Sequence, residues 1–277
     1  MKFKTIFILF NSIIIISFLF VFLMPIMILG ADYGHLFLKN NWYVALLFVL
    51  AMVVLNIYFL LNWKMFQYLE KEDWSGLFDY LSAKLQKRGQ LSIRQIRMYL
   101  NTALVLSKVD EIVELRDKLK ANAPRKFNKF VLELGIPYLV DGQSLEGYNY
   151  FNNFSSTSNQ RDWIHWAKAF CLLNLQRRED GKEVLVQLLG QTKNPIIILM
   201  STYLLTSLGM DDDDTAKILS TYKDMLNEKF SKAQLNKKMN VQKETNLLLL
   251  LFGKVYTEAL DWCFDHSLPS SEKIVSQ

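Results

Sequence analysis

Arg94, Arg97 and Asn101 stand at i, i+3 and i+7, a spacing that places them on one face of a helix. Lys129 follows, and then come the aromatic residues Trp163, Trp166, Phe170 and Tyr203. Guanidinium, amide and ammonium groups beside large aromatic faces do recognition chemistry: they hold carboxylates and apolar side chains and break no covalent bond. A basic end and an aromatic end in one groove would suit an extended or helical peptide carrying acidic and apolar groups. The same residues also fit a solvated basic face and an aromatic core, because burial is not visible in a pattern.

Catalytic chemistry has less to work with. His35, His165 and His266 are isolated, with no cysteine or carboxylate at metal-ligand spacing. There is no glycine-rich phosphate loop, nucleophile elbow or zincin motif. Asp211–Asp214 is acidic enough for a cation but lacks the alternating ligands and following glycine of a calcium loop. Carboxylates at a helix start are explained by the positive end of the helix dipole. The expectation is a protein that is not an enzyme and holds no cofactor or metal.

The elements that must carry these residues begin with two uncharged apolar runs, 6–29 and 42–61, joined by an expected short loop at 30–41. Each is long enough to span a hydrocarbon core of roughly 30 Å as a helix. Lys2 and Lys4 precede the first run, and Lys64, Lys71, Lys84, Lys87, Arg88, Arg94 and Arg97 follow the second, whereas the loop carries Lys39 alone. By the positive-inside bias both termini are expected in the cytoplasm, in an inner membrane. Trp42, Tyr43, Tyr58 and Trp63 fit interfacial anchors. A cleaved signal peptide ending near Gly30 is the rival, but its apolar region would be much longer than the usual 7–15 or so residues. Within the runs, Asn11 and Asn56 fit either a bond between the two helices or isolated polar residues tolerated near the span ends, and Pro25 fits a kink in the first.

Residues 64–267 are expected to be all-α, with 268–277 as a tail. Glycine and proline number only 11 and 5, and strand-like alternation is almost absent. The net charge of this part, +3, is too small to argue for nucleic acid. Cys171 and Cys263 both fall in apolar helical patterns and are expected to be free, buried thiols.

A short pattern recurs in this part: a turn residue, polar residues, then a position opening an apolar helix. The equivalent positions Ile112, Gly147, Gly181 and Ala216 are spaced 35, 34 and 35 apart. Weaker copies occur at Trp74–Leu77 and at Gly253–Leu260, where the residues read Gly-Lys-Val-Tyr-Thr-Glu-Ala-Leu. Period and wording together resemble the tetratricopeptide (TPR) repeat, over roughly residues 70–265, although Ile112 is bulky where that family prefers alanine. The resemblance implies a solenoid of helix pairs, with a small residue where the two helices of a pair approach closely. Two spans followed by such an array also resemble the layout of HemY-type inner-membrane proteins.

The expected elements are a rod over 64–87, then pairs 92–106 with 110–120, 125–139 with 144–152, 160–175 with 180–189, and 196–208 with 213–230. A solvated, Lys-rich helix start or loop at 231–243 and a terminal pair over 242–264 complete the array. Ser92, Asp110, Ser144 and Asp213 suit N-caps, and Gly142 and Gly209 suit C′ positions. The expected function is a membrane-anchored scaffold or adaptor that presents the array to a protein or peptide partner. The alternative is an accessory subunit of a membrane transport or envelope-assembly complex, with the hairpin as its interface.

Overall fold

The computed structural model describes residues 3–154, 160–208, 213–243 and 246–264, and among these every regular element is a helix. The chain divides into two compact units, Met1–Leu106 and Ser107–Gln277.

In the first unit, α1 (Phe3–Leu29) and α2 (Ala31–Leu61) form a hairpin. Two stretches of it, Phe3–Ile28 and Lys39–Leu61, are long and apolar enough to cross a membrane. Most large side chains stay outside, Ile16, Leu47 and Leu60 being 64%, 65% and 70% exposed. The turn needs Gly30, whose φ of +88° and ψ of 171° are closed to residues with a side chain.

The expected loop at 30–41 is instead helical from Ala31 onward. Gly34 lets this segment lie against Ile26 of α1, where a Cβ would collide, and Phe37 meets Phe22 edge-on at 6.0 Å. The irregularity sits at Asn41 (φ −120°, ψ 19°), whose side-chain amide donates to the Phe37 carbonyl at 2.9 Å. Asn56 donates to Asn11 across the hairpin at 2.8 Å, the first of the two readings their positions allowed. Phe7 packs on Phe59, at 4.7 Å, near the hairpin's open end.

Next come α3 (Trp63–Glu70), α4 (Trp74–Arg88) and α5 (Ile93–Val105). The expected rod over 64–87 is broken: Glu72 takes a positive φ of 53°, and the Asp73 carboxylate accepts the Gly76 N–H at 2.8 Å to start α4 afresh. Phe66 of α3 lies 5.4 Å from Phe3 and 4.9 Å from Phe59, and the Glu70 carboxylate accepts the Phe3 N–H at 3.2 Å. Leu77, Phe78 and Leu81 of α4 and Ile96, Tyr99 and Leu100 of α5 are buried, with Phe78 4.9 Å from Tyr99. Ser92 caps α5 as expected, exchanging two hydrogen bonds with Gln95.

The second unit contains α6 (Val109–Asn122), α7 (Pro124–Phe127), α8 (Val131–Leu134), α9 (Ile136–Val140), α10 (Ser144–Phe154), α11 (Arg161–Asn174) and α12 (Arg178–Gln191). It continues with α13 (Pro195–Thr206), α14 (Asp213–Lys229), α15 (Lys232–Lys243), α16 (Leu247–Leu251) and α17 (Gly253–Phe264). Neighbours in sequence from α10 to α14 pack on one another, and α17 packs on α13 and α14. At the centre lies α13, buried at every residue from Ile196 to Thr206, as a helix that is apolar all round must be.

Two expectations fail locally. The helix expected over 125–139 is three short ones, because Phe130 leaves helical geometry (φ −122°, ψ 19°) and Pro137 has no N–H to continue a ladder. The stretch 231–243, expected to be solvated, forms a helix from Lys232 that is anchored by buried Leu235 and Met239. The expected terminal pair is α16 and α17, with Phe252 between them. Asp110 lies in the first turn of α6, one residue inside the helix. Gly142 has the expected positive φ of 67° after α9. Gly209, Asp211, Asp212, His266 and the tail 268–277 lie outside the described residues.

Two repeat positions sit where helices nearly touch. A Cβ on Gly147 would stand 2.9 Å from Cys171 Sγ and 3.2 Å from Tyr138 Cβ. One on Gly181 would stand 2.8 Å from Leu173 Cδ2. Ile112 is fully buried and Ala216 half-buried.

Candidate functional site

The aromatic half of the expected groove is core. Trp163, Trp166, Phe170 and Tyr203 are all buried, Trp166 completely. The reason is Phe252, which lies edge-on to Trp166 at 4.9 Å and to Phe170 at 4.8 Å. It ends the Leu247–Leu251 helix, which also packs against α8, so the chain's own C-terminal part covers the surface the stripe was expected to offer. Tyr203 donates its hydroxyl to the Glu258 carboxylate at 3.2 Å, and burial together with that carboxylate pushes its pKa up to about 12.

The basic half is divided between the chain's two units. Arg94, Arg97 and Asn101 belong to the first unit, and Lys129 to the second with the aromatic residues. Arg94 and Arg97 are exposed on α5, and Arg94 donates to the Tyr58 hydroxyl at 3.1 Å. Asn101 is half-buried, and its Oδ1 has no hydrogen-bond partner among the described residues. Lys129 is exposed in the turn between α7 and α8.

A different concavity occurs in the second unit. A cleft of about 650 Å³ is bounded by the start of α13, the end of α14 and one face of α15. Its lining holds Lys229, Lys237 and Lys238 and no acidic residue; Pro195, Phe230 and Val241 supply apolar surface. The lysines come from the last turn of α14 and from α15, a helix with four lysines and no acid. Lys238 lies over the Phe230 ring at 5.6 Å.

The cleft is held by an amide pair. Asn194 donates to Gln242 at 3.1 Å, and Gln242 donates back at 3.2 Å. The same Asn194 Oδ1 accepts the Ile196 N–H at 3.0 Å and so caps α13. This binds the far end of α15 to the start of the central helix. Three ammonium groups over apolar patches can bind carboxylates flanked by apolar side chains. Sequence reasoning missed this site. The available signal was the unbalanced charge of 232–243, but the partner elements are remote in the chain.

Shifted proton affinities occur at two core thiols and at the half-buried His165. Burial pushes the thiols of Cys171 and Cys263 up to about 12 and 11, and both are free. The His165 pKa is lowered by burial and then by Arg161 and Lys168, with Asp162 opposing. Among the described residues no group of three or more His, Cys, Asp or Glu is placed to hold a metal ion.

The second unit is also where similarity to other proteins concentrates. A family model described as "Uncharacterised Treponema protein" matches residues 111–265. The chain belongs to that family. All nine residues lining the cleft fall inside the matched stretch of the Uncharacterised Treponema protein family, and the apolar hairpin falls outside it. A Treponema pallidum (strain Nichols) protein, described as an uncharacterized protein, is 24% identical over 164 residues, covering 59% of this chain. The aligned part is 52% of that relative, so the chain spans about half its length. No solved structure matches.

Proposed function

We propose that this protein is a membrane-anchored, non-catalytic adaptor. Its hairpin sits in an inner membrane with both termini in the cytoplasm, and its second unit offers the cleft among α13, α14 and α15 to an acidic segment of a protein partner. The observation that carries the anchoring is the exposure of the hairpin: a core helix would hide its apolar side chains, and here almost none of either candidate span is buried. The excess of Lys and Arg outside the hairpin supports the orientation. Contact of Phe3 with Phe66 supports a hairpin that returns the chain to the side it left. The TPR-like reading of the second unit is supported by Gly147 and Gly181, spaced 34 residues apart and each at a close helix approach.

A second reading takes the hairpin itself as the interface within a larger membrane complex. It is favoured by a small, wholly apolar hollow of about 80 Å³ on the hairpin, lined by Ile14, Ile15, Phe18, Phe48, Val49 and Met52.

Two measurements test the proposal. The full chain should stay in the membrane pellet through an alkaline carbonate wash; release into the supernatant would refute anchoring. Proteins that co-purify from detergent-solubilised membranes should be lost with Lys237→Glu/Lys238→Glu at an unchanged melting temperature. Retention would remove the cleft from consideration, and loss with Phe18→Ala/Phe48→Ala instead would transfer the interface to the hairpin.

A further inference from the structure

We propose that Arg94 and Arg97 form a binding site for the phosphate of an anionic phospholipid headgroup; this rests on the membrane reading of the hairpin. Tyr58 lies one turn before the end of α2 at Leu61, in the aromatic band that includes Phe59, Trp63 and Phe66. A tyrosine in the last turn of a span places its hydroxyl at headgroup depth. The Tyr58 ring is half exposed, and its hydroxyl accepts from Arg94 Nη1 at 3.1 Å. That bond fixes the height of α5: Arg94 is held at the level where lipid phosphates lie.

One guanidinium N–H is used on Tyr58, which leaves four of the five donors in the fork. Arg97 is three residues on, exposed on the same side of α5. Among the described residues neither arginine is in an ion pair with a carboxylate. Exposed Ile93 adds an apolar group beside them. Two forks with no carboxylate partner, beside an apolar contact, match a phosphodiester above acyl chains, which the fork can bind through two oxygens at once. A protein ligand is disfavoured here, since it would have to lie within the headgroup layer.

The test uses the full chain in detergent with added phosphatidylglycerol or phosphatidylcholine, with retained lipid counted by native mass spectrometry. Phosphatidylglycerol should be retained in preference to phosphatidylcholine, and Arg94→Gln/Arg97→Gln should lower its retention roughly thirtyfold. Tyr58→Phe, which leaves every charge in place, should lower it several-fold by releasing Arg94. Excess inorganic phosphate should displace little. Equal retention of the two lipids, indifference to the double substitution, or full displacement by free phosphate would each overturn the site. A chain that inserts into phosphatidylcholine vesicles and shows no preference defeats this proposal alone, whereas one that fails to insert at all defeats the anchoring as well.

Discussion

Asn56 and Asn11, 45 residues apart in sequence, are bonded to each other across the hairpin: the Asn56 amide donates to Asn11 Oδ1 at 2.8 Å. Each also donates to its own helix, Asn56 to the Met52 carbonyl and Asn11 to the Phe7 carbonyl. No other side chain-to-side chain hydrogen bond joins the two helices among the described residues. In hydrocarbon such a bond is worth about 1 kcal/mol. Asn11→Leu and Asn56→Leu should each destabilise the hairpin by about that much, and the double substitution by clearly less than the sum. Reversible unfolding in mixed detergent micelles measures the coupling; strict additivity would show that the bond contributes nothing.

Phe252 closes the surface over Trp166 and Phe170. Phe252→Ala should cost about 3–5 kcal/mol, as for other large core truncations. It should also wet the nearby indoles. Thermal unfolding reads the first effect and a red shift of tryptophan emission the second. A destabilised variant with unchanged emission would mean that the site collapses around the gap.

Gly147 faces Cys171 Sγ at a distance no Cβ tolerates. Gly147→Ala gains helix propensity of about 1 kcal/mol, so a net loss of stability would have to come from the clash. The expected melting temperature is lower than wild type. In a Cys171→Ala background the same change should cost less, because the sulfur is gone. Equal costs in both backgrounds would point to Tyr138, 3.2 Å away, as the obstacle.

His165 resists protonation in the folded chain, through burial first and through Arg161 and Lys168 next. Its folded pKa lies below the ordinary value of 6.5, so the unfolded chain binds the proton more readily. Stability from this group is therefore full above 6.5 and declines as pH falls through that value. Between about pH 7.5 and pH 5.5 the melting temperature should drop, and His165→Gln should flatten the decline. An identical slope in the variant would assign the effect to other groups.

The sequence made the two apolar runs legible because a helix long and apolar enough to cross a membrane differs from an ordinary core helix in length and lack of charge. Elements from α10 to α14 were legible within a few residues, since periodic apolar spacing and caps mark them. The break at 71–73 was not: Lys71, Glu72 and Asp73 are ordinary in a helix, and Glu72 takes a left-handed φ that no glycine announced. The aromatic stripe was visible as a stripe, but its fate depends on Phe252, more than 80 residues beyond Trp166 in the chain. The lysine-lined cleft depends likewise on Asn194 meeting Gln242, 48 residues away.

The backbone at Asn41 has left helical geometry, so the segment from Ala31 stands as a separate piece of α2, seated on α1 through Gly34 and Phe37. In the proposed bilayer setting, the stretch that must match the lipid thickness is then Lys39–Leu61, and hydrophobic mismatch falls on that stretch rather than on the whole of α2.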